Sequence, residues 1–229
     1  MTSSATAMSY ETAVTDLLGL VAYGELTAFE RLAADSGLAP TLDGKAQVAA
    51  MAVAEFGHFR RVRDRLTELG ADPTEAMEPF ARPVDAFHEH TKPSDWLESL
   101  VKAYIGDTLT ADFYREAARY LDPESRAVVE GVLEDLGHSA FVVEHVRAAI
   151  EEDPKISGRL ALWGRRIMGE ALTQAQHIAA RRAALAALLA GVLAAPDCAT
   201  TVDLAEVGRM LTRLTEAHGA RMATLGLSA

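Results

Sequence analysis

One short pattern of carboxylate, glycine and histidine residues occurs twice in this chain. The sequence Glu-Phe-Gly-His begins at Glu55, and its counterpart Asp-Leu-Gly-His begins at Asp135, 80 residues later. Each copy also has an upstream carboxylate preceded by glycine, 30 residues earlier for the first copy and 28 for the second. In helical bundles, a carboxylate from each of two helices and a carboxylate-x-x-His pair from each of two others bind two metal ions. The six candidate metal ligands are Glu25, Glu55, His58, Asp107, Asp135 and His138.

Each of the four carboxylates interrupts a mainly apolar stripe of a helix. Residues that are three, four and seven positions apart share one helix face. Around Glu25, those positions hold Leu18, Val21, Ala22, Ala28, Phe29 and Leu32. Because a buried ionised carboxylate is costly unless it is paired or bound to a metal, the stripes predict that the carboxylates face one interior and share cations or protons.

The duplication carries this prediction, since no single residue does. A lone glutamate at the edge of a stripe is usually exposed, and a lone histidine is more often an ordinary core residue. Both histidines, however, follow a carboxylate by three residues and so share its helix face. Glycines adjoin the candidates in mid-helix, where each costs about 1 kcal/mol relative to alanine. We expect these glycines to admit close neighbours: Gly24, Gly57, Gly106 and Gly137.

Oxygen-rich ligation with two imidazoles suits iron or manganese better than a structural zinc site. We therefore expect two iron ions, with manganese as the alternative. The carboxylates of the repeated pattern would bridge the metals, the upstream carboxylates would be terminal or bridging ligands, and each histidine would bind one metal. The second ring nitrogen of each histidine needs an acceptor, for which Glu30 and Asp112 are candidates. Tyr104 and Tyr114 either line the cavity or pack in the core.

Prolines and glycines divide the chain into six predicted helices. They cover about residues 9–34, 42–69, 94–120, 123–152, 156–194 and 202–225, with Ser94 as an N-cap and a bend at Gly169. Residues 70–93 contain four prolines and are predicted to be a long connection instead of another long helix. Short turns make antiparallel hairpins of the first two helices and the next two, and the connection crosses the bundle between them. Residues 196–201 are predicted to be a loop.

The composition favours helices in a cytoplasmic protein. The chain is 49% hydrophobic but only 6% aromatic, and no segment shows the β-branched alternation of a strand. Its first eight residues lack the basic start and apolar run of a secretory leader. The longest apolar run, residues 183–195, is too short to span a bilayer. Cys198 is the only cysteine, so we expect neither an internal disulfide nor a cysteine-based metal site.

The charge of the chain is unevenly distributed. A net charge of −11 argues against general affinity for nucleic acids. Residues 155–182 nevertheless contain six basic residues and one acidic residue, and the second helix carries four arginines just past His58. These side chains form either ordinary solvated helix faces, which is the more common case, or a local basic patch near the mouth of a site.

With those residues in place, the chain resembles the ferritin-like di-iron carboxylate superfamily, and within it the actinobacterial proteins similar to the MiaE tRNA hydroxylase. The superfamily pattern covers about residues 10–150. The MiaE-like resemblance takes in the phrases AYGELTAFERLA, AEFGHF, DWLESLVKAYIGD, ADFYREAA and LWGRRIMGEALTQAQ. It implies a non-haem di-iron centre on the six candidate ligands. Hydroxylases of this kind activate dioxygen and oxidise a C–H bond, in MiaE on the isopentenyl group of a modified adenosine in tRNA.

The chain departs from the superfamily at two ligands. Asp107 and Asp135 stand where glutamate is usual, and aspartate is one methylene shorter. The second half-site is therefore expected to bind metal more weakly or with altered geometry.

The sequence thus predicts an all-α, ferritin-like four-helix bundle with one long crossover and two additional C-terminal helices. We expect residues 1–229 to form a single domain. In it, residues 1–8 are a loose tail, residues 9–152 the four-helix core and residues 155–229 the extra helices.

Three functions fit these observations. The first is a di-iron hydroxylase acting on a modified tRNA nucleoside, whose arginines contact phosphates and whose iron is reduced by an electron-donor protein. The second is a di-iron oxidase or oxygenase of a small or lipid-like substrate. The third is a non-catalytic metal-binding or scaffold protein; iron storage in a cage is less favoured because the extra helices would alter its surface. The apolar run 183–195 is a candidate homodimer surface, with burial against the chain's own bundle as the alternative.

Overall fold

The computed structural model describes residues 9–133, 138–195 and 204–229. Within these ranges the secondary structure is helical throughout and contains no strand, which confirms the all-α prediction. A short 3-10 turn, Ser36–Leu38, connects the first two helices. The α-helices are α1 (Tyr10–Asp35), α2 (Leu42–Glu68), α3 (Pro73–His90), α4 (Trp96–Ala118), α5 (Pro123–Gly131), α6 (His138–Glu152), α7 (Ile156–Arg181), α8 (Ala183–Leu189) and α9 (Leu204–Thr224).

Side-chain caps fix where several helices begin. The Ser9 hydroxyl accepts a hydrogen bond from the backbone of Thr12 at the start of α1, and Thr41 caps α2 in the same way. The predicted N-cap of α4, Ser94, is wrong by one residue. Asp95 accepts the backbone N–H of Glu98, while the backbone and hydroxyl of Ser94 both donate to the Glu98 carboxylate. The Asp95 carboxylate thus satisfies a backbone donor in the first turn of α4, and the Glu98 carboxylate satisfies the donors of the residue just before the cap.

The prediction that residues 70–93 lack a long helix is wrong, because α3 occupies 18 of them. Asp72 caps this helix by accepting the backbone N–H groups of Thr74 and Glu75. Pro73 stands in its first turn, where the missing N–H has no cost. Two further prolines lie inside the helix, but one face of it, including Phe80, is buried against the core. That burial offsets the lost backbone hydrogen bonds.

Two predicted long helices are interrupted. The helix expected over residues 123–152 is α5 and α6 in the described residues, and residues 134–137 lie outside them. The helix expected over residues 156–194 continues through Gly169 as α7 and ends at Arg181. The break comes at Arg182, whose backbone is not helical and whose guanidinium donates to Asp16 of α1. This break lets α8 turn back onto α1.

Three groups of apolar side chains form the core of the described residues. The first joins α1, α2, α3, the end of α4, α5 and α8, and the second joins α2, the first part of α4, α6, α7 and the C-terminal segment. The third is small and joins α7 to α9 through Met168, Met210 and Leu214. Within the apolar run 183–195, Ala184, Leu185 and Leu188 are buried in the first group. The run therefore packs against the chain's own bundle and does not provide the surface that we considered for a homodimer. A homodimer itself stays a prediction. No helix in the described part of the chain is long and apolar enough to cross a membrane.

The crossing of α1 and α3 depends on a glycine. A β-carbon added at Gly19 would lie 2.1 Å from the carbonyl oxygen of Ala76 and 2.7 Å from its carbonyl carbon. These are backbone atoms of a neighbouring helix, so they move only if α3 itself moves. Only a residue without a side chain permits this approach.

We expect Gly19→Ala to lower the free energy of unfolding by about 1–3 kcal/mol, the usual cost of overpacking a core. Urea denaturation followed by circular dichroism measures it. Gly169→Ala is the matched control: an added β-carbon there meets nothing within 4 Å, so the better helix former should raise stability by up to about 1 kcal/mol. Equal stability of G19A and wild type would contradict the described α1–α3 packing.

Candidate metal centre

The hairpin of α1 and α2 brings three predicted ligands together. Glu25 lies in the middle of α1, and Glu55 and His58 lie on the facing side of α2. Ring nitrogen Nδ1 of His58 is 3.3 Å from Oε2 of Glu25 and 3.3 Å from Oε2 of Glu55. One potential ligand atom from each of the three residues lies within 4.8 Å of the other two. We call Glu25, Glu55 and His58 the first half-site.

The first half-site is buried. Glu25 and His58 are each only 6% exposed, and the side chain of Glu55 is 15% exposed. Apolar residues of the same stripes surround it, as the helix periodicity predicted: Leu18, Val21, Ala22, Met51, Ala52, Phe59 and Val62 are all buried. Water is therefore largely replaced by neighbouring side chains around three ionisable groups.

Burial and proximity shift the pKa values of the three groups in different directions. Burial raises the pKa of Glu25 well above its ordinary value, and Glu55 adds to the rise. Burial alone would lower the pKa of His58, but its hydrogen bonds to the two glutamates outweigh that effect and raise it to about 9. Burial likewise opposes the lowered pKa of Glu55, which follows from hydrogen bonds with His58 and Glu25. Glu25 and His58 therefore tend to hold protons, and Glu55 tends to be ionised.

Two more predicted ligands face the same space from other helices. Asp107 of α4 and His138, the first residue of α6, line a cavity of about 160 Å³ together with Glu55 and His58. A smaller cavity of about 30 Å³ beside it is lined by Glu55, Asp107 and His138 as well, with Tyr104 on its wall. Asp107 and His138 do not join the tight cluster of the first half-site. The sixth predicted ligand, Asp135, lies outside the described residues.

Tyr114 of α4 packs beside the first half-site. It is 4% exposed. Burial, followed by the charges of Glu25 and Glu55, raises the pKa of its phenol well above the ordinary value. A β-carbon added at Gly24 would lie 3.3 Å from the Tyr114 hydroxyl, so this glycine does admit a close neighbour. Gly57 and Gly106 have nothing within 4 Å of an added β-carbon, so the same interpretation is wrong for them.

The structure also adds residues that the sequence did not point to. Arg115 of α4 and Arg221 of α9 line the larger cavity together with Glu55. Asp112, which we considered as a partner for a ligating histidine, instead accepts hydrogen bonds from both arginines. No local motif marks Arg221, because it enters the site from a helix more than 100 residues away in sequence from its partner.

The arrangement provides ligands for one metal in the first half-site and for a second beside it. Glu55 borders both positions, since it belongs to the tight cluster and lines the cavity with Asp107 and His138. A carboxylate with two oxygens can bridge two metal ions. In the described residues, the first position has a complete buried ligand cluster and the second has one carboxylate and one imidazole besides Glu55.

Comparisons with known proteins agree with this architecture. A family model described as "Ferritin-like domain, actinomycetes" matches residues 8–192. No curated protein sequence matches the chain significantly. Among solved structures, protein 19 with aldehyde deformylating oxidase activity from Synechococcus superposes with a TM-score of 0.71. It is 18% identical, and the alignment covers 98% of this chain and 94% of that one, a likeness that shows the fold alone. The family match spans most of the chain and all six predicted ligands, and the chain therefore belongs to the ferritin-like domain family of actinomycetes.

Proposed function

We propose that this protein is a non-haem di-iron oxidase or hydroxylase that uses dioxygen. The observation that carries the proposal is the buried cluster of Glu25, Glu55 and His58, which shares a cavity with Asp107 and His138. Further support comes from the family match and from a structural neighbour that has aldehyde deformylating oxidase activity.

The donor set fits the metal. Metal bonds to oxygen and nitrogen of about 2.0–2.2 Å place two ligand atoms at most about 4.4 Å apart, and the 4.8 Å limit of the cluster needs only small side-chain adjustments. Carboxylates with imidazole suit iron or manganese. Glu25, Glu55 and His58 would hold one ion, and Glu55, Asp107 and His138 the other, with Asp135 as a further predicted ligand. Bound iron would supply the electrons that reduce dioxygen, replenished by an external donor protein.

The chain's own residues would control protons and water around that chemistry. Burial raises the pKa of Glu25 in the metal-free site, so its carboxyl group would release any proton that it holds when it binds a metal ion. Tyr114 keeps its phenolic proton because its pKa is raised as well. The apolar stripes of α1 and α2 exclude bulk water, which strengthens every electrostatic interaction in the site.

The cavity favours a small substrate. Its volume of about 160 Å³ is below the roughly 300–1,000 Å³ of sites for drug-sized ligands. It reaches the protein surface at Arg115, which is exposed. A small molecule, or one small group of a larger molecule, therefore fits against Glu55 and His58. This supports the small-substrate alternative over a whole nucleoside.

Action on tRNA remains a proposal with weaker support. Several arginines of the predicted basic patch already have carboxylate partners within the chain. Arg65 lies 3.1 Å from Asp122, Arg159 lies 2.7 Å from Asp95, and Arg182 donates to Asp16. Paired arginines offer less net charge to phosphates, and the chain as a whole is acidic.

A non-catalytic protein with one metal ion is the second candidate. It is favoured by the asymmetry of the site, because Asp107 lies outside the tight cluster of the first half-site. Metal stoichiometry separates the two candidates: the oxidase requires two ions per chain, and the scaffold or carrier requires one or fewer.

We expect metal binding to strengthen as pH rises from about 6.5 towards 9. A metal ion needs the neutral imidazole, and the pKa of His58 is raised to about 9, so below that pH an ion bound by His58 displaces a proton. Displacing one proton makes the apparent affinity rise about tenfold per pH unit, and a proton held by Glu25 would make the rise steeper. Titration with Co²⁺ under nitrogen, followed by visible absorption, gives the affinity and the stoichiometry at each pH.

An exposed pair provides the control for that titration. His58→Ala should abolish binding at the first position, whereas His90→Ala removes a histidine that lies 2.7 Å from Glu170 outside the cavity and should leave binding unchanged. An affinity that does not vary with pH, or full binding by H58A, would contradict the ligand assignment.

The oxidase proposal predicts dioxygen consumption by the reduced protein. Ferrous-loaded chain, reduced with dithionite that is then removed, should take up dioxygen in an oxygen-electrode assay. Glu55→Ala should lower the initial rate by more than the roughly 10–100-fold typical of residues that only support a ligand, because Glu55 borders both metal positions. Glu170→Gln should keep the wild-type rate. Two bound irons without dioxygen uptake above the H58A rate would contradict the oxidase proposal.

A further inference from the structure

Arg221 gives the cavity a cationic wall that the metal site does not use. It lies in the last turn of α9 and lines the cavity together with Arg115 of α4. Glu55, Asp107 and His138 line the same cavity. A ligand in this space would therefore meet carboxylates, imidazoles and guanidinium groups.

Only part of the Arg221 guanidinium has a partner. Its Nη2 donates to Oδ2 of Asp112, while Nη1 is buried and has no hydrogen-bond partner among the described residues. Arg115 donates from Nη1 to the other oxygen of Asp112 at 2.9 Å. The Asp112 carboxylate thus orients two guanidinium groups, and the cluster of two arginines and one aspartate keeps a net positive charge. A buried N–H without an acceptor is costly, which a ligand oxygen would offset.

The neighbouring Arg213 forms an ion pair between the same two helices and serves as a comparison for Arg221. Arg213 also connects α9 to α4, but its Nε and Nη2 each lie 2.9 Å from one oxygen of Glu116, so the pair is closed and bidentate. The side chain of Arg213 is 42% exposed and does not line the cavity. That of Arg221 is 13% exposed. Of the two, only Arg221 lines the cavity, and its side chain also has a buried nitrogen without a hydrogen-bond partner among the described residues.

We propose that Arg221, with Arg115, binds the carboxylate of a small organic acid whose remaining atoms extend into the cavity. The planar guanidinium matches a carboxylate. Glu55 and Asp107 on the same cavity disfavour a doubly charged phosphate more than a singly charged carboxylate. Only the orientation of the acid's carbon chain towards Glu55 and His58 rests on the proposed function.

The test measures binding of straight-chain carboxylates from acetate to octanoate to the full chain, with and without Co²⁺, by isothermal titration calorimetry and ligand-observed NMR. The matched primary amides keep shape and remove the charge. We expect at least one carboxylate to bind at least tenfold more tightly than its amide and than inorganic phosphate. Arg221→Gln should lower its affinity about tenfold or more, as loss of a charged hydrogen bond does, and Arg221→Lys should restore part of it.

Two control variants separate this inference from structural effects and from the metal. Arg213→Gln removes a tie between the same helices and should bind the acid like wild type. His58→Ala should also retain the acid, since the arginines hold the carboxylate without the metal. Equal weakening by R221Q and R213Q, equal affinity for acid and amide, or no binding of any acid in the series would overturn the inference. Loss of the acid in H58A with retention in R221Q would overturn it too, because the carboxylate would then be a metal ligand. Failure of dioxygen uptake alone would leave it intact.

Discussion

The structure depends on one electrostatic constraint, the burial of two carboxylates and an imidazole between α1 and α2. Removing such groups from water costs several kcal/mol per ion unless partners compensate. Here the compensation is mutual, because Nδ1 of His58 lies within 3.3 Å of both Glu25 and Glu55. The hairpin can be long and otherwise apolar on this face because its three ionisable groups contact one another at one level. The pKa of Glu25 is raised and that of Glu55 is lowered because the two carboxyl groups and His58 lie so close together in a buried place.

The helices around the hairpin keep water from this cluster, and their packing places the cavity on one side of it. On one flank, α3 approaches α1 so closely that Gly19 has no room for a β-carbon. On another, Tyr114 of α4 fills the space beside Gly24. The cavity is lined by residues of α2, α4, α6 and α9. The family match ends at residue 192, whereas Arg221 lies on α9 beyond it. The shared fold therefore supplies the candidate ligands, and the segment beyond the match supplies part of the cavity wall.

Repetition and periodicity allowed the centre of the molecule to be predicted. Glu55 and His58 share a helix face by their spacing, and the stripe around Glu25 predicted its burial, so the first half-site could be predicted from local rules. Helix α3 could not be predicted in this way, because prolines inside a helix are unfavourable by local propensity and only tertiary burial of residues such as Phe80 outweighs them. The position of Arg221 in the cavity wall could not be predicted either. Its role depends on the packing of α9 against α4, which no residue spacing along the chain encodes.

The two half-sites differ in how closely their ligands approach one another in the described residues. Glu25 and Glu55 project from the interiors of helices of 26 and 27 residues, where several turns on each side fix the backbone and packed neighbours fix the side chains. Asp107 has a shorter side chain than a glutamate would have, and neither Asp107 nor His138 joins the tight cluster. A ligand set that must be held within about 0.5 Å for productive chemistry is best built on rigid elements. The first position is therefore preorganised by the fold, while the second must gain part of its geometry from the ion that it binds. Because Glu55 borders both positions, an ion held in the first would fix one of the ligands that the second requires.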